Sequence, residues 1–241
     1  MDQNQLIEKI VAEVAALPTL APADVAKYID HTMLQPNAPT QAFDRLCQEA
    51  LTYRFFAVCV NSCRVAYVAR KMLGSGIKVC SVVGFPLGAM TSRAKAFEAR
   101  EALSDGASEI DMVINIGFLK SGDYRGVEED IRAVRRATRS TTILKVIIET
   151  ALLTQDEKVI ACELSKKAGA DFVKTCTGFG GGGATVEDVS LMRRVVGKDL
   201  GVKASTGVRT YSVALAMIGA GATRLGCGSS VAIVSEHGDH A

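Results

Sequence analysis

The chain has 241 residues, a usual length for one α/β barrel, and its apolar fraction of 48% is sufficient for a large core. Basic and acidic residues nearly balance at a net charge of +2, which argues against nucleic acid as a partner. The apolar runs are shorter than the roughly 18 residues that a membrane span needs. The first residues lack the basic start of a signal peptide. These features favour a cytoplasmic globular protein.

The cysteines and histidines argue against bound metal. Seven cysteines are scattered along the chain and never form a C-x-x-C pair, so neither a disulfide framework nor a structural zinc site is predicted. Two of the three histidines, His237 and His240, lie close to the C-terminus, and His31 stands alone. Because catalytic metals need clusters of such ligands, no metal is expected.

Eight apolar, β-branched segments recur along the chain, each followed by a polar or glycine-rich loop and a helical pattern. In chain order they read VAKYIDHT, FFAVCV, IKVCSVV, SEIDMVIN, TILKVIIE, DFVKT, GVKAS and TRLG. Eight such units without a linker favour a closed (β/α)8 barrel, an α/β fold, over an open doubly wound sheet.

Helix boundaries are indicated by capping residues and glycines. The predicted N-caps are Asn61, Thr91, Thr154 and Thr185. Glycines predicted to end helices before the next strand are Gly76, Gly106, Gly169 and Gly221.

The pattern predicts one barrel domain over residues 1–241. Residues 1–27 are expected to form an N-terminal helical extension, and residues 235–241 a flexible tail. The extension has an amphipathic pattern, with these apolar residues on one helical face: Leu6, Ile10, Val14 and Leu17.

Three charged residues stand out because their neighbours are apolar, namely Asp111 in EIDMVIN, Lys174 in DFVKT and Lys203 in GVKAS. A single lysine beside a strand is most often solvated or ion-paired. Two at corresponding places in strands six and seven, with a carboxylate in strand four, point toward the mouth of the barrel where active sites lie. Burial and a second ammonium group both favour a neutral amine, which attacks a carbonyl to form an imine. The three residues therefore predict Schiff-base chemistry, with Asp111 transferring protons.

Two glycine-containing loops follow strands seven and eight, where barrels often bind phosphate. The first, STGVRT, contains Gly207 and Arg209, and the second, GCGSS, contains Gly226 and Ser229. Exposed backbone N–H groups and the following helix N-termini both suit a phosphate group. The run GFGGGG could add Gly178, but its place after strand six argues against a dinucleotide site.

The motifs IDHTML, VCVNS, VVGFPLG, EIDMVINIG, LKVIIET, DFVKTCTGF, VKASTGVRT and RLGCGSS resemble, in order, those of the deoxyribose-phosphate aldolase family. The resemblance runs from Tyr28 to Val234 and implies a TIM barrel. It also implies a class I lyase, free of metal and cofactor, that cleaves 2-deoxy-D-ribose 5-phosphate to D-glyceraldehyde 3-phosphate and acetaldehyde. Lys174 then matches the Schiff-base lysine, Lys203 its partner lysine and Asp111 the proton relay. By position, substrate contacts are implied for Cys59, Thr175, Gly178, Gly207, Arg209, Gly226 and Ser229.

The chain departs from the family pattern at two places near the expected phosphate site. Thr206 precedes Gly207 where the family commonly has two glycines, and Gly228 interrupts what is usually a run of serines. Because threonine tolerates positive φ poorly, a shifted or stiffened phosphate loop is predicted.

Several alternatives remain open from the sequence. The chain could be an imine-forming barrel acting on another phosphorylated sugar, or a sugar-phosphate sensor without catalysis. Lys145 and Glu149, four apart in one strand, would either position Lys203 or Asp111 through ion pairs or form a purely structural pair. A homo-oligomer, dimer or tetramer, is expected.

Overall fold

The computed structural model describes residues 20–235, which form a closed barrel of eight parallel strands. Each strand pairs with the next, and the last pairs with the first to close the barrel. The strands are β1 (Ile29–Met33), β2 (Ala57–Val60), β3 (Lys78–Val83), β4 (Glu109–Val113), β5 (Ile143–Ile147), β6 (Phe172–Lys174), β7 (Gly201–Ser205) and β8 (Arg224–Cys227). The predicted (β/α)8 barrel is therefore confirmed.

Helices surround the barrel. They are α1 (Pro22–Ala26), α2 (Thr40–Tyr53), α3 (Val65–Met72), α4 (Ser92–Ser104), α5 (Ile116–Lys120), α6 (Tyr124–Ala137), α7 (Gln155–Lys167), α8 (Val186–Val196), α9 (Tyr211–Gly219) and α10 (Ser230–Ser235). Short 3-10 turns lie at Ser62–Arg64 and Thr150–Leu152. Within residues 20–235, no helix is long and apolar enough to cross a lipid bilayer.

The alternation of side chains along each strand separates an apolar outer layer from a polar interior. Ile110, Leu144 and Val173 are fully buried in the large apolar cluster that also contains the helix residues. Their neighbours in sequence point to the opposite face of the sheet, because side chains two apart share a face. The barrel therefore turns its charged strand residues inward.

Local signals explain most element boundaries. The side chains of Thr91, Thr154 and Thr185 accept backbone N–H bonds as predicted, and Thr154 forms a full capping box with Glu157. The predicted cap at Asn61 is wrong, because its side-chain amide donates to the carbonyl oxygen of Leu34 at 3.2 Å.

The first predicted strand began too early. Val25 and Ala26 belong to α1, whose first residue is Pro22, a residue that favours the first turn of a helix. The glycine stops adopt positive φ, as the predicted chain reversals require, with φ of 108° at both Gly106 and Gly221. The predicted amphipathic segment over residues 6–17 and the tail histidines lie outside the described residues.

Candidate active site

The interior of the barrel is filled by a connected cluster of charged side chains instead of the branched apolar residues usual in such barrels. All seven members lie on strands and are at most 6% exposed. They are Asp30, Glu109, Asp111, Lys145, Lys174, Lys203 and Arg224. The cluster therefore holds four cationic and three anionic groups.

Asp111 lies at the centre of the upper half of this cluster. Its Oδ2 accepts hydrogen bonds from Lys174 Nζ and Lys203 Nζ, both at 2.8 Å. Its Oδ1 accepts from Lys145 Nζ at 2.7 Å and from the thiol of Cys80 at 3.1 Å. Lys174 and Lys203 are direct register partners on β6 and β7, which explains why their ammonium groups reach the same oxygen. The structure thus brings together the three residues singled out from the sequence.

The lower half of the cluster connects the upper half to the amino-terminal ends of the strands, where Glu109 and Arg224 are the first strand residues. Arg224 donates to Asp30 at 2.8 Å and to Glu109 at 3.2 Å, and its guanidinium lies 3.6 Å from the ring centroid of Phe56. Asp30 also accepts from Lys203, and Glu109 lies 2.6 Å from Lys145. Charges therefore alternate from the arginine up to Lys174 at the mouth.

Ion pairing outweighs burial for Lys203 and Asp111. Burial disfavours the charged form of Lys203, but the carboxylates of Asp111 and Asp30 raise its pKa above the ordinary value. Burial likewise opposes ionisation of Asp111, yet the surrounding lysines hold its pKa well below the usual range. At neutral pH, Lys203 is therefore cationic and Asp111 anionic before substrate binds.

The opposing effects of burial and ion pairing on Asp30 predict that this residue stabilises the fold in a pH-dependent way. Burial raises its pKa, but Lys203, Lys145 and Arg224 together lower it to about 2. A carboxyl with a depressed folded-state pKa stabilises the fold above the unfolded value of 3.8, and this contribution disappears as pH falls toward 2. It amounts to about 2 kcal/mol.

We expect Asp30→Asn to lower the free energy of unfolding at pH 6, and we expect the difference from wild type to shrink between pH 4 and 2. Urea unfolding at a series of pH values measures it. Asp105→Asn, which changes an exposed carboxyl, is the matched control and should show little difference from wild type. A gap between wild type and Asp30→Asn that is unchanged down to pH 2 would contradict the assignment.

A cavity of about 260 Å³ opens at the carboxyl ends of the strands, above the cluster. Lys174 reaches its floor, while Thr32 and Leu34 line one side. Gly178 and Gly226 also line it, as expected from their loops. The cavity therefore gives a small molecule access to the amine of Lys174.

Other predicted contact residues lie around the cavity without lining it. Gly207, Arg209 and Ser229 are exposed in the loops after β7 and β8. Cys59 is fully buried beside the lysines. Thr175 is also fully buried. Its hydroxyl donates to the carbonyl of Ser205 at 3.1 Å and accepts from the backbone N–H of Ser205 at 3.0 Å. It joins β6 to β7 below the cavity.

In the loop after β7, Thr206 has a positive φ, the backbone conformation that threonine tolerates poorly. Thr206 has a φ of 71°, which is strained for a β-branched residue and costs on the order of 1–3 kcal/mol. Its carbonyl accepts the N–H of Ala184 at 2.9 Å, and Gly183 packs so closely that a Cβ there would lie 2.8 Å from that oxygen. The loop after β6 therefore holds Thr206 in place.

Lys145 forms the expected ion pair with Asp111, but Glu149 does not share its face of the strand. Glu149 has a φ of 58°, which breaks the strand alternation that would have placed both on one face. The carboxylate of Glu149 instead accepts the N–H of Thr177.

Among the described residues, Cys59, Cys80 and Asp111 form a group with potential metal-ligand atoms within 4.8 Å of one another. The carboxylate of Asp111 is already engaged by three ammonium groups. A divalent cation there would face their repulsion, so this donor set does not suit a resident metal.

The sequence patterns predict no role for Asp30, Glu109 or Arg224. One signal could have found Glu109, because it lies two residues before Asp111 and therefore on the same face of β4. Which of these side chains contact one another depends on the register of neighbouring strands, which only the closed barrel defines.

The fold and these buried lysines agree with one family of aldolases. The sequence matches the family described as DeoC/LacD family aldolase over residues 24–231, and the chain belongs to that family. Among its relatives, the deoxyribose-phosphate aldolase of Clostridium perfringens (strain SM101 / Type A) is 57% identical over 87% of this chain and 93% of that protein. The deoxyribose-phosphate aldolase of Thermococcus gammatolerans is 59% identical over 88% of this chain and 95% of its own length.

Solved structures agree with this grouping. The tetrameric deoxyribose phosphate aldolase from Aeropyrum pernix superposes with a TM-score of 0.87 at 30% identity, covering 96% of this chain and 98% of that one. The resemblance noted from the strand motifs and the TIM-barrel fold are therefore both confirmed.

Proposed function

We propose that this chain is a class I deoxyribose-phosphate aldolase, a lyase that reversibly cleaves 2-deoxy-D-ribose 5-phosphate to D-glyceraldehyde 3-phosphate and acetaldehyde. One observation carries the proposal. The amine of Lys174 reaches the floor of an open cavity while its neighbours Asp111 and Lys203 are buried beneath it. The names of the relatives support the same reaction.

Lys174 is the lysine best placed to act as the nucleophile. Lys203 is held by Asp30 and Asp111, and Lys145 by Glu109 and Asp111. Lys174 contacts a single carboxylate and borders the cavity. Since the cluster has one cation more than it has carboxylates, release of one proton leaves it neutral. Lys174 has the fewest carboxylate contacts of the three lysines, and it is also the one open to substrate.

In the proposed mechanism, the neutral amine of Lys174 adds to the aldehyde carbon of the open-chain sugar, and the carbinolamine loses water to give an iminium ion. A proton leaves the C3 hydroxyl as the C2–C3 bond breaks, and the electron pair passes into the iminium to form an enamine. D-Glyceraldehyde 3-phosphate departs, and the enamine is protonated at C2. Water then adds to the acetaldehyde iminium, which releases acetaldehyde and the free amine.

Asp111 and Lys203 support these steps from below. The carboxylate of Asp111 lies 2.8 Å from the reacting nitrogen, so it can accept and return protons during carbinolamine formation and iminium hydrolysis, directly or through water. Lys203 donates to the same oxygen and remains cationic, so it keeps a positive charge beside the reacting nitrogen.

We further propose that the loops around the cavity hold the phosphate. Backbone N–H groups in glycine loops and the start of α10 suit a dianion, and Arg209 adds a positive charge. The proposed contacts are Gly178, Gly207, Arg209, Gly226 and Ser229. Cys59 and Thr175 support the wall of the pocket from their buried positions.

The direct test is cleavage of 2-deoxy-D-ribose 5-phosphate by the purified chain in excess EDTA, with both products measured. We expect full activity, because the proposed chemistry uses only side chains. Binding without turnover would indicate a sensor, and activity confined to another phosphorylated sugar would indicate a different aldolase. Activity that is lost in EDTA and recovered with a divalent cation would refute the metal-free mechanism.

We also infer a cytoplasmic homo-oligomer, either a dimer or a tetramer. The scattered cysteines fit a reducing compartment, and the relative from Aeropyrum pernix is described as tetrameric. Light scattering of the purified chain measures its assembly.

A further inference from the structure

Glu149 is a buried carboxylate that the lysine chemistry does not use. It follows β5, is 1% exposed and has a backbone φ of 58°, a conformation that is uncommon outside glycine. Backbone strain of this kind often marks a functional position. Its side chain lies at the base of the loop that follows Lys174.

The contacts of Glu149 are concentrated on one residue of that loop. Thr177 donates its backbone N–H to Glu149 Oε2 at 3.1 Å and to Oε1 at 3.3 Å. The hydroxyl of Thr177 also donates to Oε2. Hydrogen bonds to an ionised acceptor are roughly twice as strong as neutral ones, so this contact fixes Thr177 firmly.

The fixed threonine in turn shapes the next three residues. Thr177 Oγ1 accepts the N–H of Phe179 at 3.0 Å, which closes a tight turn. A Cβ at Gly180 would lie 2.7 Å from the carboxyl carbon of Glu149, so the loop packs directly against the carboxylate. The segment from Thr177 to Gly180 therefore wraps around Glu149.

The backbone on either side of Glu149 holds the start of the same loop. The N–H of Ile148 donates to the carbonyl of Lys174, and the N–H of Thr150 donates to that of Thr175, both at 3.0 Å. The positive φ at Glu149 lies between these two bonds. The strained residue thus connects β5 to the segment carrying the reacting lysine.

The loop held by Glu149 forms the side of the cavity that faces the predicted phosphate loops. Gly178 lines the cavity, and a Cβ there would lie 3.0 Å from Thr206 Oγ1, in the strained loop after β7. Movement of Thr177 would therefore displace Gly178 relative to Thr206. The amine of Lys174 would be less affected, because its position is set by Asp111.

We propose that Glu149 is a positioning residue that sets the affinity for the phosphorylated substrate, acting through Thr177 on the loop beside the phosphate, and this rests on the proposed aldolase function. Replacing the carboxylate by an amide leaves one acceptor oxygen and brings N–H donors toward the N–H of Thr177. At least one of the three hydrogen bonds from Thr177 is then lost, the others no longer end on a charged oxygen, and the loop loosens.

The test compares Glu149→Gln with wild type in two assays. We expect KM for 2-deoxy-D-ribose 5-phosphate to rise about ten-fold, with kcat within about three-fold, as loss of a charge-assisted hydrogen bond in binding predicts. Reductive trapping of acetaldehyde on Lys174 by cyanoborohydride should keep its rate, because acetaldehyde carries no phosphate. Glu163→Gln, the same change on the exposed side of α7, is the matched control and should leave both assays unchanged.

A second variant keeps the proposal testable if Glu149→Gln folds poorly. Thr177→Val removes the hydroxyl while preserving shape, and it should raise the same KM. In the double variant the effects should be less than multiplicative, since both act on one contact. Multiplicative effects, an unchanged KM, or an equal loss in kcat and acetaldehyde trapping would overturn the inference. Inactivity of wild type toward the sugar phosphate would instead refute the proposed function.

Discussion

Replacing Lys174 by methionine is expected to lower kcat for deoxyribose 5-phosphate cleavage by at least about 10⁴-fold, as loss of a covalent nucleophile does in other enzymes. Methionine retains most of the side-chain volume but has no amine to form the imine. The neighbouring Lys203 cannot take over, because it is fully buried and held by Asp30 and Asp111. Asp111 keeps two of its three lysine partners, so the variant should remain folded.

Steady-state cleavage rates measure this effect, with circular dichroism to confirm folding. Lys198→Met, which removes an exposed lysine after α8, is the matched control and should retain wild-type kcat. A folded Lys174→Met enzyme with more than about a tenth of wild-type activity would show that the imine forms elsewhere or not at all.

Asp111→Asn is expected to impair both catalysis and stability. The amide cannot accept and return a proton as the carboxylate does, so kcat should fall by roughly 10²–10⁴-fold. The change also leaves three ammonium groups without their shared anion, and breaking a buried ion pair in this way costs about 3–5 kcal/mol. No other carboxylate of the cluster contacts all three lysines, because Asp30 contacts only Lys203 and Lys145 and Glu109 contacts only Lys145.

The two effects are separated by measuring urea unfolding and, at a temperature where the variant is folded, the rate of cleavage. Asp105→Asn provides the exposed control for both assays. A variant with wild-type stability would contradict the proposed central role of Asp111 in the charge cluster. Wild-type kcat in the folded variant would contradict its role in proton transfer.

Much of the fold could be predicted because local and global signals agree. The capping box at Thr154 and the glycine stops marked the ends of helices, and eight apolar segments gave the strand count. The position of barrel active sites at the carboxyl ends of the strands then predicts that Lys174, Lys203 and Asp111 lie together. The first strand was predicted to begin at Val25, because two apolar residues next to a strand do not by themselves distinguish strand from helix. In the structure, Val25 and Ala26 belong instead to the helix that begins at Pro22.

The rest of the site depends on register and on backbone conformation, which the sequence does not reveal. Asp30, Glu109 and Arg224 meet only because neighbouring strands are staggered around the closed barrel. Thr175 faces Ser205 for the same reason. Glu149 leaves its strand pattern through a positive φ that no residue type at that position predicts.

The measurement that tests the central claim most directly is the location of the adduct formed when wild-type enzyme, deoxyribose 5-phosphate and borohydride are mixed and the protein is digested for mass spectrometry. Reduction of the imine leaves a stable secondary amine on the lysine that formed it. We expect the added mass on the peptide containing Lys174. An adduct on Lys203 alone, or no adduct during active turnover, would contradict the assignment of Lys174 as the nucleophile.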